Sequence, residues 1–341
     1  MSLRFFIVGG TEAGRPVGAC LCDRLSLSRS AVRRLLQAQQ VRVNGTPCID
    51  PHRRLQRGQR VQVRLPKSPP SGGRKPPEFR ASRSRGADAP RSGKSVKGPR
   101  PTIRYADKHI VVVDKPAGLT TMRHAEDVAE FGRRAKRFLP PTLADLLPDL
   151  LARRSSERKT RMRAVHRLDK ETSGLVVFAR TVEAERHLGR QFRAHTIERQ
   201  YQAVVRGRAK DGRIESRLVR DRGDGRRGSS AVPDEGQRAV THVRVVEALG
   251  DYTLVECRLE TGRTHQVRIH LGEAGTPLCG ERIYDRPLHG QPLPDDSGMT
   301  RIALHAALLG FEHPATGESM RWTSTLPKDM AALIERLRRG R

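Results

Sequence analysis

Apolar positions recur along this chain with two periods, and the change from one to the other marks out its elements. Near the front, Val17, Leu21 and Leu25 return every fourth residue and predict a helix. Ser26 to Ser30 offers N-capping serines to a second helix carrying Val32, Leu35 and Leu36. The period then drops to two. Val41-Arg-Val43 runs into Asn44-Gly45, the strongest short hairpin signal, and Arg60 to Arg64 alternates as a closing strand. From Pro66 to Arg100 the pattern stops. Pro, Gly, Ser, Lys and Arg with almost no apolar residue cannot bury enough surface to fold, and predict a disordered basic linker.

Past the linker, Ile110 to Val113 predicts a strand, followed by a turn at Pro116 and Gly118. Met122 to Arg161 is charged, contains one helix pattern from Thr142 to Leu151, and reads as an insertion. Leu175 to Ala179 is a short apolar run, as in a buried strand. Thr181 caps a helix whose face is Ala184, Leu188 and Phe192, and Tyr201 to Arg206 is a strand. Ala239–Leu249 and Tyr252–Thr261 alternate as a hairpin around Gly250-Asp251. Residues 264–271 also read as a strand, with His265, Val267, Ile269 and Leu271 on one face and Gln266, Arg268 and His270 on the other. Ile302 to Leu309, Phe311 to Pro314 and Trp322 to Pro327 supply a further core strand or two, and a helix starts at Lys328. The expected layout is a tail over 1–15, a small αβ domain over 16–65, the linker over 66–100, a large domain over 101–330 and a basic tail over 331–341. The fold class is α+β: a mixed, mainly antiparallel sheet with helices packed on it, preceded by the small αβ domain.

Charge sharpens this outline. Lys and Arg number 66 against 37 Asp and Glu in 341 residues, a formal charge of +29. Such an excess points to a polyanion, and nucleic acid is the commonest. A membrane surface fits less well, because there is no long apolar run and no clear basic amphipathic helix. The apolar part of Met1 to Gly10 is too short for a signal peptide. The five cysteines are odd in number and scattered, without zinc-ligand spacing, so they read as buried side chains in a reducing cytoplasm. No metal site is expected.

One stretch concentrates candidate chemistry: His166-Arg-Leu-Asp169-Lys-Glu-Thr172-Ser173-Gly174, leading into the apolar run. Asp169 falls on a tight loop beside a rigid strand, with Arg167 and Lys170 next to it. Flanking cations keep a carboxylate ionised, as a nucleophile or base must be. A salt-bridged Asp in a surface turn fits the same residues equally well. Arg268, set between two polar neighbours, is placed to pair with a carboxylate from another loop, with Asp169 the obvious one, or to lie on a half-exposed strand. His166, His265, His270 and His305 are too dispersed to suggest ligation.

Taken together, these motifs resemble the RluA family of pseudouridine synthases. Asp114-Lys-Pro-Ala-Gly118 comes first, then His166-Arg-Leu-Asp169-x-x-Thr-Ser-Gly174, Arg199-Gln-Tyr201-Gln-Ala-Val-Val, Gly262-Arg-Thr-His-Gln-Val-Arg268-Ile-His270, Gly275-Thr-Pro-Leu-Cys-Gly280 and Leu304-His-Ala306. The front segment, with Leu27-Ser-Arg29-Ser30, Val41-Arg-Val-Asn-Gly45, Leu55 and Gly58, resembles the RNA-binding domain named after ribosomal protein S-four. The resemblance implies isomerisation of uridines in structured RNA through one aspartate, Asp169, without metal or cofactor. It further implies a supporting Arg268, Tyr201 packed under the base, and Leu304 as an apolar wall. His166, Thr172, Ser173 and Gly174 are expected to support the site. Arg29, Arg33, Arg34, Arg167, Arg263 and Gln266 are expected to bind RNA. Large-subunit (23S) rRNA is the expected partner, transfer RNA the other candidate, and the protein is expected to act as a monomer. A non-catalytic RNA-binding assembly factor of the same fold is the alternative. Two departures from the family pattern stand out: the long 122–161 stretch, and Glu281 where an Asp is usual. Neither falls in the central motif, so both bear on substrate choice.

Overall fold

A computed structural model describes residues 2–10, 12–25, 32, 35–51, 53–65, 100–123, 139–154, 160–287 and 290–340. The chain divides into two compact bodies, residues 1–98 with 220–227, and residues 99–219 with 228–341.

The first body is a four-stranded antiparallel sheet with helix α1 (Val17–Leu25). Its strands are β1 (Ser2–Ile7), β2 (Val41–Val43), β3 (Thr46–Pro47) and β4 (Arg60–Leu65), in the order β1-β4-β2-β3. Val17, Leu21, Val32, Leu36, Val41, Val43, Val61 and Val63 form its core, so both apolar periods converge on one interior. Asn44 and Gly45 turn β2 into β3 with φ of 51° and 82°, the left-handed pair that a tight hairpin needs. The expected 1–15 tail is wrong: β1 pairs with β4 along its length and puts Phe6 and Val8 into the core. Its apolar residues run consecutively, so no alternation announced a strand. The N-caps of the second helix and the 66–99 part of the linker lie outside the described residues.

The second body is an eleven-stranded sheet. Its strands are β5 (Thr102–Ala106), β6 (Ile110–Lys115), β7 (Arg163–Ala164), β8 (Ser173–Ala179), β9 (Glu198–Arg206), β10 (Gly212–Val219), β11 (Gly228–Ser229), β12 (Gln237–Leu249), β13 (Tyr252–Leu259), β14 (Leu304–Glu312) and β15 (Ser319–Thr323). The main path runs β11-β10-β12-β13-β9-β14-β8-β6-β5, with β15 on β14 and β7 on β8. Among the described residues only the β14–β8 pair is parallel; the other pairs are antiparallel. All seven residues of β8 are buried. The apolar run is continuous there because both faces are covered. Val176 and Phe178 join one core with Leu143, Leu147 and Leu151 of helix α2 (Leu143–Ala152). Leu175 and Val177 join another with Ala184 and Leu188 of helix α3 (Val182–Ala194). The supposed insertion therefore contributes core, through a helix closed at its start by a Thr142–Asp145 capping box.

Two further expectations fail. Residues 264–271 are not a strand: Gln266–Glu273 is helix α4, with residues 266–272 all buried. A short helix buried all round shows no polar face, and its Gln, Arg and His imitated alternation. Helix α5 (Lys328–Arg339) starts where the sequence placed it but runs through the expected 331–341 tail, and its Met330, Leu333 and Ile334 pack on Val204, Leu249 and Leu254. No helix among the described residues is long and apolar enough to cross a membrane.

Candidate active site

The loop bearing Asp169 is clamped on both sides of that residue. Before it, the Thr121 hydroxyl donates to the Leu168 carbonyl at 2.7 Å and accepts from the Leu168 N–H at 3.2 Å. After it, Gly118 N–H donates to the Lys170 carbonyl at 2.8 Å, and Thr172 N–H to the Asp169 carbonyl at 3.1 Å. Lys115 is fully buried, and its Nζ donates to the carbonyls of Pro116 (3.1 Å), Leu119 (2.9 Å) and Lys170 (3.3 Å). Burial lowers this ammonium to a pKa of about 7 against the pull of Asp169 and Glu171. Three carbonyl acceptors match the three N–H bonds of the charged form. The Asp-Lys-Pro-Ala-Gly motif is thus the brace of the aspartate loop, a role that sequence reading had not given Lys115.

A row across the sheet fixes that loop against Tyr201. Lys115 is paired with Gly174, Gly174 with Ala306, Ala306 with Tyr201, and Tyr201 with Cys257. Gly174 has φ +114°, and a Cβ there would collide with the backbone of Ala306, so only glycine lets β8 enter parallel to β14. Ser173 hydrogen-bonds His305 at 2.9 Å, and His305 reaches Ser324 at 3.1 Å. His166 accepts from Val177 N–H at 3.0 Å and stacks on Phe192, 4.7 Å between ring centres. Burial, then the nearby Arg199, push His166 down to about 3, so it is neutral support. Thr172 and Leu304 are buried beside this frame.

Beside the loop opens a cleft of about 380 Å³, lined among others by Asp169, Arg167, Phe192, Arg199, Tyr201, Arg263 and His265. Asp169 Oδ2 lies 3.4 Å from Arg268 Nη1 and 3.7 Å from His265 Nε2. Burial raises the Asp169 carboxyl, but His265, Arg268 and Arg167 together outweigh it and hold it below the usual carboxylate range. His265 begins α4 in the left-handed region at φ 61°, with its Nδ1 2.8 Å from the Tyr284 hydroxyl.

Arg268 reaches Asp169 as its sequence suggested, but its tighter partner is Glu281. Nε and Nη2 grip the Glu281 carboxylate at 2.7 and 2.9 Å, a bidentate fork. Glu281 also accepts from the N–H groups of Arg282 (3.0 Å), Ile283 (2.9 Å) and Tyr284 (3.3 Å). The residue set aside as a substrate-level departure is therefore one contact from the aspartate. Nothing in a spacing of thirteen residues signalled this.

Gln266 does not present itself to RNA. It is 2% exposed, and its carboxamide accepts from Thr261 (2.8 Å) and Arg263 N–H (3.0 Å) and donates to Val240 (2.9 Å) and Thr241 (3.0 Å). Arg167 and Arg263 do line the cleft; Arg29, Arg33 and Arg34 lie outside the described residues. Arg199, noticed only as a motif letter, is 7% exposed on the cleft wall. One nitrogen donates to the Glu260 carbonyl at 3.3 Å, the guanidinium lies 5.5 Å from the Phe192 ring centre, and Nε has no partner. Gly262 leaves it room, since a Cβ there would strike its Nη1. Among the described residues no group of His, Cys, Asp and Glu is arranged to hold a metal ion.

Comparison with known proteins points to one family. The RNA pseudouridylate synthase family model matches residues 109–273, and the S4 domain model residues 24–61. The chain is 35% identical over 92% of its length to YlyB of Bacillus subtilis, named an uncharacterized RNA pseudouridine synthase, covering 90% of that protein. It is 38% identical over 69% of its length to the ribosomal large subunit pseudouridine synthase D of Xanthomonas campestris, covering 69% of it. Human RNA pseudouridylate synthase domain containing 4 shares the fold, with a TM-score of 0.55 at 24% identity over 70% of this chain and 93% of that one.

Proposed function

The chain belongs to the RNA pseudouridine synthase family, and from that premise we propose that it isomerises uridines of large-subunit rRNA with Asp169 as the one reacting side chain. The observation that carries the assignment is the carboxylate itself. It is ionised, braced on both sides and set in the wall of a cleft with Tyr201 and a buried arginine. A neutral or swinging carboxyl has no such use.

In this reading the target nucleotide leaves its stack, as an enzyme acting on a base requires, and its uracil lies against Tyr201. Asp169 then acts on the ribose, by attack at C1′ or by removing a proton from the sugar. The C1′–N1 bond breaks, the uracil turns, and C1′ bonds to C5. The C5 proton is released and N1 gains one, so no atoms are lost. Arg268 balances the aspartate's charge and fixes its direction, while Glu281 keeps Arg268 in place. The relatives' names support large-subunit rRNA as substrate. Such a braced carboxylate also argues against a non-catalytic assembly factor.

The test is tritium release from 5-tritiated uridine in large-subunit rRNA. Wild-type protein is expected to release tritium and Asp169→Asn none, while RNA affinity changes by less than about tenfold, or 1.4 kcal/mol. Turnover by Asp169→Asn would remove Asp169 from the chemistry. Release from transfer RNA alone would move the substrate assignment.

A further inference from the structure

The small body carries a second surface suited to RNA, on the side of its sheet away from the core. Burial alternates in β2 and β4, and in β1 from Phe5 to Ile7. Phe6, Val61, Val63, Val41 and Val43 face inward. Phe5, Ile7, Arg60, Gln62, Arg64 and Arg42 occupy the alternate positions, which face out. Phe5 is 62% and Ile7 63% exposed, two of the few large apolar side chains left in water. Single exposed apolar residues are ordinary, but two neighbours on one sheet face make a patch.

Register turns this patch into a platform. Phe5 is opposite Gln62, Gln62 opposite Arg42, and Arg42 opposite Pro47, a straight row from one edge of the sheet to the other. The Arg60 guanidinium lies 4.8 Å from the Phe5 ring centre. Gln39, Gln40, Arg42, Gln62 and Arg64 line a hollow of about 110 Å³ beside it. None of the four strands contains Asp or Glu, and among the described residues no carboxylate pairs with Arg42, Arg60 or Arg64. The described carboxylates Glu12 and Asp23 are occupied by Arg24 and Arg15.

We propose that this outer sheet face binds an unpaired RNA strand, with one base stacked on Phe5 and the backbone tracked by Arg42, Arg60 and Arg64. The proposal rests on RNA being the protein's substrate class. An aromatic face takes any base, arginines at a sheet spacing neutralise successive phosphates, and the glutamines can donate to and accept from base edges. A duplex hides its base faces and offers Phe5 nothing. A second protein surface would leave three arginines that have no carboxylate partner among the described residues still without one, which makes the polyanion the better fit.

The test uses the full chain and a labelled twelve-nucleotide oligoadenylate, alone or annealed to oligouridylate. The single strand contains no uridine, so its binding is independent of isomerisation. Protein that binds it but releases no tritium from rRNA would defeat the proposed function and keep this platform. Phe5→Ala is expected to weaken single-strand binding by about fivefold or more, and Phe5→Tyr to preserve it. Arg42→Gln with Arg64→Gln is expected to lower the slope of log affinity against log salt by about 1.4, or 0.7 for each contact. Duplex binding is expected to be indifferent to Phe5→Ala. Unchanged single-strand affinity in Phe5→Ala overturns the proposal, as does equal weakening toward duplex. A change in sedimentation without a change in RNA affinity overturns it too, and assigns the face to contact between copies of this chain.

Discussion

The two walls of the cleft treat positive charge in opposite ways. Behind the wall that carries Asp169, Arg268 is matched on every side, gripped by Glu281 and near Asp169. On the other, Arg199 is as deeply buried but has, among the described residues, one backbone carbonyl, an aromatic ring and no carboxylate. Isolated buried charge is costly, and burial lowers the Arg199 pKa. The first wall is complete before RNA arrives. The second is left short of an acceptor, which a uracil carbonyl or a phosphate can supply. Under the proposed function, one wall fixes the reacting group in advance, and the other contributes its charge when RNA binds.

Breaking the matched wall should have the largest effect. Glu281→Gln strips a buried pair of its carboxylate and should cost about 3–5 kcal/mol of stability, read by denaturant unfolding. A loss under about 1 kcal/mol would mean that the backbone N–H groups, not Arg268, keep this side chain in place. Next is Arg268→Lys, which retains charge and loses the planar fork. The single-turnover rate should fall by about a hundredfold, or 2.7 kcal/mol, with RNA affinity little changed. A near-normal rate would make Arg268 a purely structural residue.

Arg199→Met tests the other wall, with a smaller expected effect. KM should rise about tenfold while kcat stays within a few-fold, since binding is lost without loss of the reacting group. Equal falls in kcat and kcat/KM would place Arg199 in the transition state. Loss of stability alone would make it a brace for the Glu260 carbonyl.

Acid separates the walls from the scaffold around them, with the smallest effect. Asp169 has a lowered folded pKa, so its ionised form is kept as pH falls from 6 to 5, where Lys115, lowered to about 7, is already charged, and the rate of folded protein should be flat there. His166 and His270 are held neutral, with pKa values lowered to about 3 and about 4. The unfolded chain binds those protons first, so stability should fall as pH drops below 6.5, by about 1 kcal/mol per histidine at pH 5.5. A rate that halves between pH 6 and 5 without unfolding would show that a group other than Asp169 limits the reaction.

What the sequence made legible follows from the same physics. β8, β9 and the β12–β13 hairpin were plain because continuous or alternating apolar residues reflect two buried faces or one. Asp169 stood out through its charged neighbours, and Gly174 through its place at a junction. α4 was misread because burial on every side removes the signal that separates helix from strand. β10 went unread, with only Ile214, Leu218 and Val219 apolar among its eight residues. The Arg268–Glu281 fork and the Lys115 brace join residues remote in sequence, and no local pattern encodes such meetings. The pairing of Arg268 with Asp169 was suggested by the residues and the place of Tyr201 by family resemblance, and the fold puts Tyr201 and Asp169 in one cleft with Arg268 in contact with Asp169.

β14 has a consequence for how the protein is made. It lies between β8 and β9, which are close in sequence, yet it is itself residues 304–312. Until it emerges from the ribosome, the sheet exists as two halves, each with a bare apolar edge. At about 5–20 residues per second, the chain between β9 and β14 takes on the order of ten seconds to synthesise. Through that interval the nascent protein has its aspartate loop but nothing to set it against Tyr201, and two edges open to pairing with another chain. A stop codon shortly before residue 304 should therefore yield aggregate rather than a weakened enzyme, though the aspartate, the tyrosine and both arginines would all have been translated.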